Sequence, residues 1–234
     1  MLLTRRQIER VFALPTNSTN KVLQWLVSDK YLNRRFRADT FGHFQTPVYY
    51  LGELGWHMAG KPADAYKEYR VQIHKRSERT LDHALSIYDV YLKFLLESEV
   101  KRIINSDDKL WQETIDFGNL PDAWIQFTGG EAFVEVDRET ENKGVLLKKF
   151  DNYLRFEQSG RYHSLFPNCA FRVLFVTTRE ERVEYLEQLT TSDNIWFCTM
   201  EEFLREKLNH AHWFTMRGFY ALPIAGQKEV QKLQ

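Results

Sequence analysis

The sequence predicts an α/β protein in which an N-terminal winged helix-turn-helix precedes an α/β sandwich with a mixed central sheet. Two observations support this. The first third alternates short helical patterns with strand-like runs, and the remainder follows the order helix, hairpin strands, helix, strand, helix, strand. The chain has 234 residues, enough for one large or two small domains. We place the boundary near residue 75, which gives domains 1–75 and 76–234.

The charge is distributed unevenly along a chain whose net charge is zero. Residues 1–80 contain 14 lysines and arginines against 7 acidic residues, whereas the remainder contains 18 against 25. A basic first third fits a DNA-contacting module joined to a body with another task. An unevenly charged solvated surface would give the same pattern, so charge alone does not decide between them.

Cysteine usage and hydropathy predict a soluble cytoplasmic protein. The two cysteines, Cys169 and Cys198, lie in apolar runs without metal-ligand spacing, which favours buried free thiols in a reducing compartment. The N-terminus has no signal-peptide pattern, and no apolar run is long enough to cross a bilayer. We therefore expect no membrane partner.

Two helices are predicted near the N-terminus. The run Thr4-Arg5-Arg6-Gln7 is a capping-box pattern that begins a helix over about 4–12. Pro15 and the polar run 16–19 predict a turn that caps a second helix, whose buried side would carry Val22, Leu23, Leu26 and Val27. The opposite side has residue types that contact base edges and phosphates in a major groove: Thr19, Asn20, Lys21 and Gln24.

A basic hairpin follows the second helix. Strand-like runs over 31–37 and 46–51 flank a turn with Gly42, and the first run carries Arg34, Arg35 and Arg37. This predicts a wing that contacts backbone phosphates. The alternative is a helix-hairpin subdomain that packs against the remainder with solvated arginines. A winged helix normally has one more helix in front, so we expect another subunit or a later helix to cover that face.

The middle of the chain is predicted to be a connection and one long helix. Gly60-Lys61-Pro62 and the charged run up to Arg79 have little periodicity, which is typical of a connection. From Leu81 to Ile104, apolar residues recur at steps of three and four, which predicts a single amphipathic helix.

The strongest chemical signal is an acidic hairpin. If Gly129-Gly130 is a two-residue turn, residues whose numbers sum to 259 pair, and Asp122 lies opposite Asp137. Glu135 then lies on the same face, because side chains alternate along a strand. Three clustered carboxylates repel unless a cation compensates, and hard oxygen ligands suit Mg²⁺ or Mn²⁺. The alternative is an exposed acidic strand.

A lysine on the following helix could serve this site. The helix is predicted over about 141–156, and Lys149 falls within its apolar arc whereas Lys148 points away. A lysine on a buried face is uncommon unless its ammonium reaches a partner, which favours Lys149 as the site cation. The alternative is that Lys149 lies at the edge of the arc and extends to water.

This order of motifs resembles the PD-(D/E)xK nuclease superfamily. Together with the winged helix, it is similar to the replication-relaxation family of plasmids, phages and integrative elements. The resemblance extends from the winged helix to about residue 200 and rests on these segments: Pro121-Asp122, Glu135-Val136-Asp137-Arg138-Glu139-Thr140-Glu141 and Lys149-Phe150-Asp151-Asn152-Tyr153.

The resemblance implies a DNA-binding protein of a mobile element with a nuclease-like body. The implied activity is that of a Mg²⁺-dependent endodeoxyribonuclease that nicks or cleaves double-stranded DNA. Asp122 and Glu135 would ligate the metal, with Asp137 as a further catalytic carboxylate. Asp137 stands where the superfamily usually has its lysine, and Lys149 would restore the amine from the helix.

Three alternatives remain open from the sequence. One is a regulator that reads DNA with its winged helix and uses a catalytically silent body for homodimerisation or partner docking. Another uses His210-Ala211-His212, which has the His-hydrophobe-His pattern of relaxases. Solvated histidines in a loop explain that pattern more simply. The third is a protein-interaction module without a nucleic-acid role.

Overall fold

The computed structural model confirms a mixed α/β fold with two sheets. It describes residues 2–38, 44–98, 100–105, 117–128, 130–166, 170–208, 211, 213–215, 218–221 and 231–233. The chain divides into two compact units, Met1–Leu92 and Lys93–Gln234. The division falls inside a helix, whereas the sequence placed a domain boundary near residue 75. No helix in the described ranges is both long and apolar enough to span a membrane.

The first unit is built on a three-stranded antiparallel sheet. Its elements in chain order are β1 (Leu2–Thr4), α1 (Arg5–Phe12), α2 (Thr16–Ser28), β2 (Leu32–Ala38), β3 (Phe44–Leu51), α3 (Glu53–Met58), α4 (Tyr66–Lys75) and the first part of α5 (Glu78–Glu97). The strand order is β1-β3-β2. Both predicted helices and both predicted strands are present, and β1 adds an edge strand that the sequence analysis missed. The expected turn at Gly42 lies outside the described residues.

The starts of the first two helices differ in their chemistry. The capping box of α1 is present, because the Thr4 hydroxyl accepts from the Gln7 amide N–H at 3.3 Å and the Gln7 side chain accepts from the Thr4 amide N–H at 2.8 Å. Helix α2 instead begins at Thr16 directly after Pro15, without a side-chain cap. The polar run 16–19 was expected as a turn, but it forms the first helical turn.

Later helices cover the sheet face that lacks a preceding helix. The core of this unit consists of Leu2, Val48, Tyr50, Ile73, Leu81 and Leu85, so α4 and α5 pack on the sheet. The side-chain amide of Gln7 also donates to the backbone carbonyl of Leu85 at 2.9 Å. The prediction of an unstructured connection between Gly60 and Arg79 is therefore largely wrong. This segment contains α4, which packs on the sheet through Ile73.

The second unit is built on an eight-stranded mixed sheet. Besides the end of α5, its elements are β4 (Val100–Asn105), β5 (Ala123–Phe127), β6 (Gly130–Val136), α6 (Lys143–Gln158), α7 (Arg161–Leu165), β7 (Val173–Thr177), α8 (Glu180–Glu187), β8 (Ile195–Thr199), α9 (Met200–Arg205), β9 (Trp213–Thr215), β10 (Gly218–Ala221) and β11 (Gln231–Leu233). The strand order runs from β11 to β4 in descending number. Strands β6, β7 and β8 are parallel and the other neighbours are antiparallel.

The single long helix predicted from Leu81 to Ile104 is wrong at its C-terminal end. Helix α5 ends at Glu97, and β4 begins at Val100. Strand β4 pairs with β5, with Val100 opposite Phe127 and Ile103 opposite Ile125. Apolar β-branched residues suit a strand as well as a helix, and tertiary pairing decided between them.

The hairpin register also differs from the prediction. Phe127 pairs with Gly130 and Ala123 pairs with Val134, so paired residue numbers sum to 257 rather than 259. The hairpin turn therefore lies between Phe127 and Gly130, one residue earlier than expected. Position 129 lies outside the described residues. Asp122 immediately precedes β5, and continuing this register places it across from Glu135 instead of Asp137.

Helix α6 packs on the sheet through aromatic side chains. Phe150, Tyr153 and Phe156 are buried in one cluster with Phe133 and Phe175 of the strands. Burying each such ring stabilises the fold by roughly 1.5–3 kcal/mol. This packing fixes the rotation of α6 about its axis, and hence the direction in which its polar side chains on the same face point. Cys198 is a buried free thiol, and Cys169 lies outside the described residues.

Candidate functional site

The centre of the candidate site in the second unit is a buried carboxylate, Glu135. Its side chain comes from β6 and the residue is only 2% exposed. Oε1 accepts a hydrogen bond from the Tyr153 hydroxyl at 2.6 Å, and Oε2 accepts from the Lys149 ammonium at 3.0 Å. Lys149 and Tyr153 are four residues apart on α6 and therefore lie on the same helix face. The packing of α6 delivers both donors to one carboxylate.

Asp122 lies on the other strand of the hairpin. Its Oδ2 accepts from the Val136 amide N–H at 2.8 Å, next to Glu135 in the chain. The negative charge of Asp122 is close enough to raise the pKa of Glu135. Asp122 therefore lies near Glu135, which Lys149 contacts, and the joint role of these three residues stays a prediction.

Lys149 contacts a second carboxylate that the sequence analysis did not assign. Its Nζ is 3.0 Å from Oε1 of Glu141 as well as 3.0 Å from Oε2 of Glu135. Glu141 lies in the loop before α6, just ahead of the helix cap Asn142. No spacing rule in the sequence pointed to Glu141. Tyr153 was also missed as a site residue, although its four-residue spacing from Lys149 was a usable signal.

The protonation equilibria of the site follow from its burial. Burial raises the pKa of Glu135 to about 7, against the lowering influence of Lys149. Burial alone would lower the pKa of Lys149, but the charges of Glu135 and Glu141 outweigh it and raise that pKa. The nearby charge of Asp122 adds to the rise in the pKa of Glu135 that burial causes. Lys149 remains cationic, and Glu135 titrates near neutrality.

Asp137 belongs to a separate cluster. Its Oδ2 accepts from Arg182 Nε at 2.6 Å and from the Thr177 hydroxyl at 3.2 Å, and its Oδ1 accepts from the Glu139 amide N–H at 3.0 Å. Asp137 follows the last residue of β6, where strand alternation no longer fixes the side-chain direction. The expected grouping of Asp137 with the other two acids is therefore not seen.

The metal site expected from the sequence stays a prediction. Among the described residues, no three His, Cys, Asp or Glu side chains are grouped closely enough to hold a metal ion. Mg²⁺ usually keeps several waters and is bound by one or two carboxylates together with substrate phosphates. Asp122 and Glu135 provide two carboxylates, but both oxygens of Glu135 already accept hydrogen bonds from Tyr153 and Lys149, so a bound ion would have to displace the Lys149 ammonium. The oxygens of Asp137 are engaged by Arg182.

The exposed face of α2 retains three of the four residues expected to contact DNA. Asn20, Lys21 and Gln24 are exposed. Thr19 is fully buried, and its hydroxyl donates to the Pro15 carbonyl at 3.1 Å, so it is not available to a partner. Val22, expected inside, is exposed instead.

The three arginines of β2 divide between the two faces of the sheet. Arg34 is exposed and its guanidinium lies 4.9 Å from the centre of the Phe36 ring. Arg35 donates to the carbonyls of Ile73 at 2.7 Å and Arg76 at 2.9 Å, and it pairs with Glu78 at 2.8 Å. These contacts tie β2 to α4 and α5.

Arg37 has the same structural role as Arg35. Its Nε donates to Glu78 at 3.1 Å, and its guanidinium also pairs with Asp82. Strand alternation explains the division, because Arg35 and Arg37 face the helices while Arg34 faces away. The sequence analysis had expected all three arginines on the wing surface.

A comparison with protein families identifies the family of this chain. The sequence model of the family described as replication-relaxation matches residues 1–169, well over half of the chain. The chain belongs to the replication-relaxation family. The matched region contains α2, Asp122, Glu135 and Lys149, and membership associates the chain with replication of mobile elements. Comparisons with curated proteins and with solved structures give no match. His210 and His212 lie outside the described residues.

Proposed function

We propose that this member of the replication-relaxation family binds double-stranded DNA through its first unit. Helix α2 would present Asn20, Lys21 and Gln24 to base edges and phosphates in the major groove. Arg34 would contact the phosphate backbone beside the groove. Membership in a family associated with replication supports a DNA partner.

The observation that carries this proposal is the contrast between Arg34 and its neighbours. Arg35 and Arg37 are neutralised by carboxylates of α5, whereas Arg34 is exposed and lies near Phe36 and Tyr49, with no carboxylate partner among the described residues. An exposed cation without a carboxylate partner is free to neutralise a phosphate. Such contacts release counterions, so binding weakens as salt rises.

Fluorescence anisotropy with labelled duplex DNA over a range of salt concentrations tests this proposal. We expect Arg34→Ala to weaken binding and to reduce the slope of log affinity against log salt by about 1. The matched control is Lys67→Ala, which removes one exposed positive charge from α4. Helix α4 lies on the Arg35 face of the sheet, opposite Arg34. Equal losses in the two variants, or no binding at low salt, would refute the proposal.

A second candidate function is metal-dependent nicking of DNA by the second unit. The convergence of Asp122, Glu135 and Lys149 favours it. Asp122 and Glu135 would hold Mg²⁺ or Mn²⁺, and the bound ion would supply a more acidic water and shield the phosphate charge. Lys149, which stays cationic, would orient the nucleophile or stabilise negative charge developing on the phosphate.

Conversion of supercoiled plasmid to the nicked form in Mg²⁺ or Mn²⁺ tests this second function. Activity should be lost in Asp122→Asn and in Lys149→Met. It should persist in Asp151→Asn, because Asp151 is an exposed carboxylate of α6 that pairs with Arg155 of the same helix. DNA binding without nicking in the unaltered protein would instead support the regulator, in which the second unit acts in homodimerisation or partner docking.

A further inference from the structure

The face of the first sheet that points away from α4 carries one cation and two aromatic rings side by side. On β2, Arg34 is exposed and Phe36 is 49% exposed. These residues are two positions apart, so their side chains leave the same face of the strand. Tyr49 of β3 lies directly across from Arg34 in the antiparallel register. We call Arg34, Phe36 and Tyr49 together the aromatic face.

The position of Phe36 in the sheet leaves its ring accessible. Strand β2 is at the edge of the sheet, in the order β1-β3-β2, and its pairing with β3 shifts register between Arg35 and Arg37. Irregularities of this kind bend a strand and can re-aim a side chain next to a binding site. Because about half of the ring surface stays in contact with water, packing within the fold explains only part of its placement.

The surroundings of the aromatic face are positively charged. The Arg34 guanidinium lies 4.9 Å from the centre of the Phe36 ring, a cation–π contact that keeps the charge beside the ring. Burial raises the pKa of Tyr49, and the positive charges of Arg34 and Arg5 oppose that rise. A partner with negative groups next to flat rings would complement this surface, and single-stranded nucleic acid has that chemistry.

We propose that the aromatic face binds an unpaired base of DNA, which stacks on Phe36 while a neighbouring phosphate contacts Arg34. This inference rests on the DNA binding proposed above and narrows the substrate to DNA in which a single strand adjoins a duplex. A phenylalanine ring has no hydrogen-bonding group, so it cannot bind a phosphate or identify a base edge by hydrogen bonds. It can stack on the face of a base, which is free only when that base is unpaired.

The test is fluorescence anisotropy of the full chain with a blunt duplex and with the same duplex extended by a short single-stranded tail. The unaltered protein should bind the tailed DNA more tightly. Phe36→Leu keeps an apolar side chain beside Arg34 but removes the flat ring, so it should weaken binding of the tailed DNA about tenfold, within the range for one stacked base. It should leave the affinity for the blunt duplex unchanged.

Two further variants serve as controls for this comparison. Phe36→Trp provides another flat ring and should retain the preference for tailed DNA. Phe12→Leu removes a ring of α1 that is 64% exposed and should change the affinity for neither DNA. With 2-aminopurine in the tail, the fluorescence of fully bound DNA should be lower for the unaltered protein than for Phe36→Leu, because stacking on the ring quenches this base.

Several results would overturn the inference. Equal affinity of the unaltered protein for blunt and tailed DNA would do so without any variant. A preference for tailed DNA that survives in Phe36→Leu, or equal 2-aminopurine fluorescence in the two proteins, would show that Phe36 does not stack on the base. Equal losses for both DNAs in Phe36→Leu would assign the ring to the duplex, and the duplex-binding proposal would then stand alone. Failure to bind any DNA would refute both proposals.

Discussion

Replacing Glu135 with glutamine should stabilise the protein above neutral pH, and the gain should shrink to less than about 1 kcal/mol near pH 5. Burial raises the pKa of Glu135 from 4.5 to about 7 in the folded state. For a carboxyl with a raised folded pKa, the associated stability is fully present below pH 4.5 and is lost as pH rises through 7. At about 1.4 kcal/mol per pKa unit, the loss approaches roughly 3 kcal/mol at pH 8.

Glutamine has nearly the same shape and can still accept from Tyr153, and Lys149 keeps Glu141 as its partner. Its amide does not ionise, so the variant should not show this loss. Urea unfolding followed by tryptophan fluorescence at pH 5, 6, 7 and 8 gives the free energy of unfolding of the variant and of the unaltered protein. Histidine titrations are common to both proteins and cancel in the difference. A difference in unfolding free energy that stays constant across this pH range would refute the argument that ionisation of the buried Glu135 destabilises the fold.

Three further substitutions test the structural roles of charged and small residues. Arg182→Met should destabilise the protein by about 3 kcal/mol in urea unfolding, because it leaves the buried Asp137 carboxylate without its cation. The control is Arg179→Met, which should change the stability little because the Arg179 side chain is 64% exposed. Similar losses of stability in the two variants would contradict this reasoning. Gly55→Ala should lower the melting temperature markedly, since its Cβ would lie 2.1 Å from a backbone carbonyl oxygen, and an unchanged melting curve would show that this approach can relax. Arg35→Met should reduce the free energy of unfolding, because it removes the bonds of Arg35 to α4 and α5. Urea unfolding measures this effect directly, without DNA.

Short-range patterns determined much of the fold. The capping box at Thr4 predicts α1, and the apolar spacing around Phe150 predicts α6, because helix caps and amphipathic faces depend on residues a few positions apart. The same spacing placed Lys149 toward the sheet, where it contacts Glu135. Where a local pattern suits two structures, it misled. The apolar residues from Val100 extend a helical repeat, but they form β4 by pairing with β5.

By itself, then, the sequence determined the α/β class, the resemblance to its family and the convergence of Asp122, Glu135 and Lys149. Only the tertiary structure decided which charged groups are available for function. It neutralised Asp137 with Arg182 from a distant helix, and it brought Glu141 to the far side of Lys149. The physical reason is that Coulomb interactions and burial depend on distances in space, and long-range packing sets those distances independently of spacing along the chain.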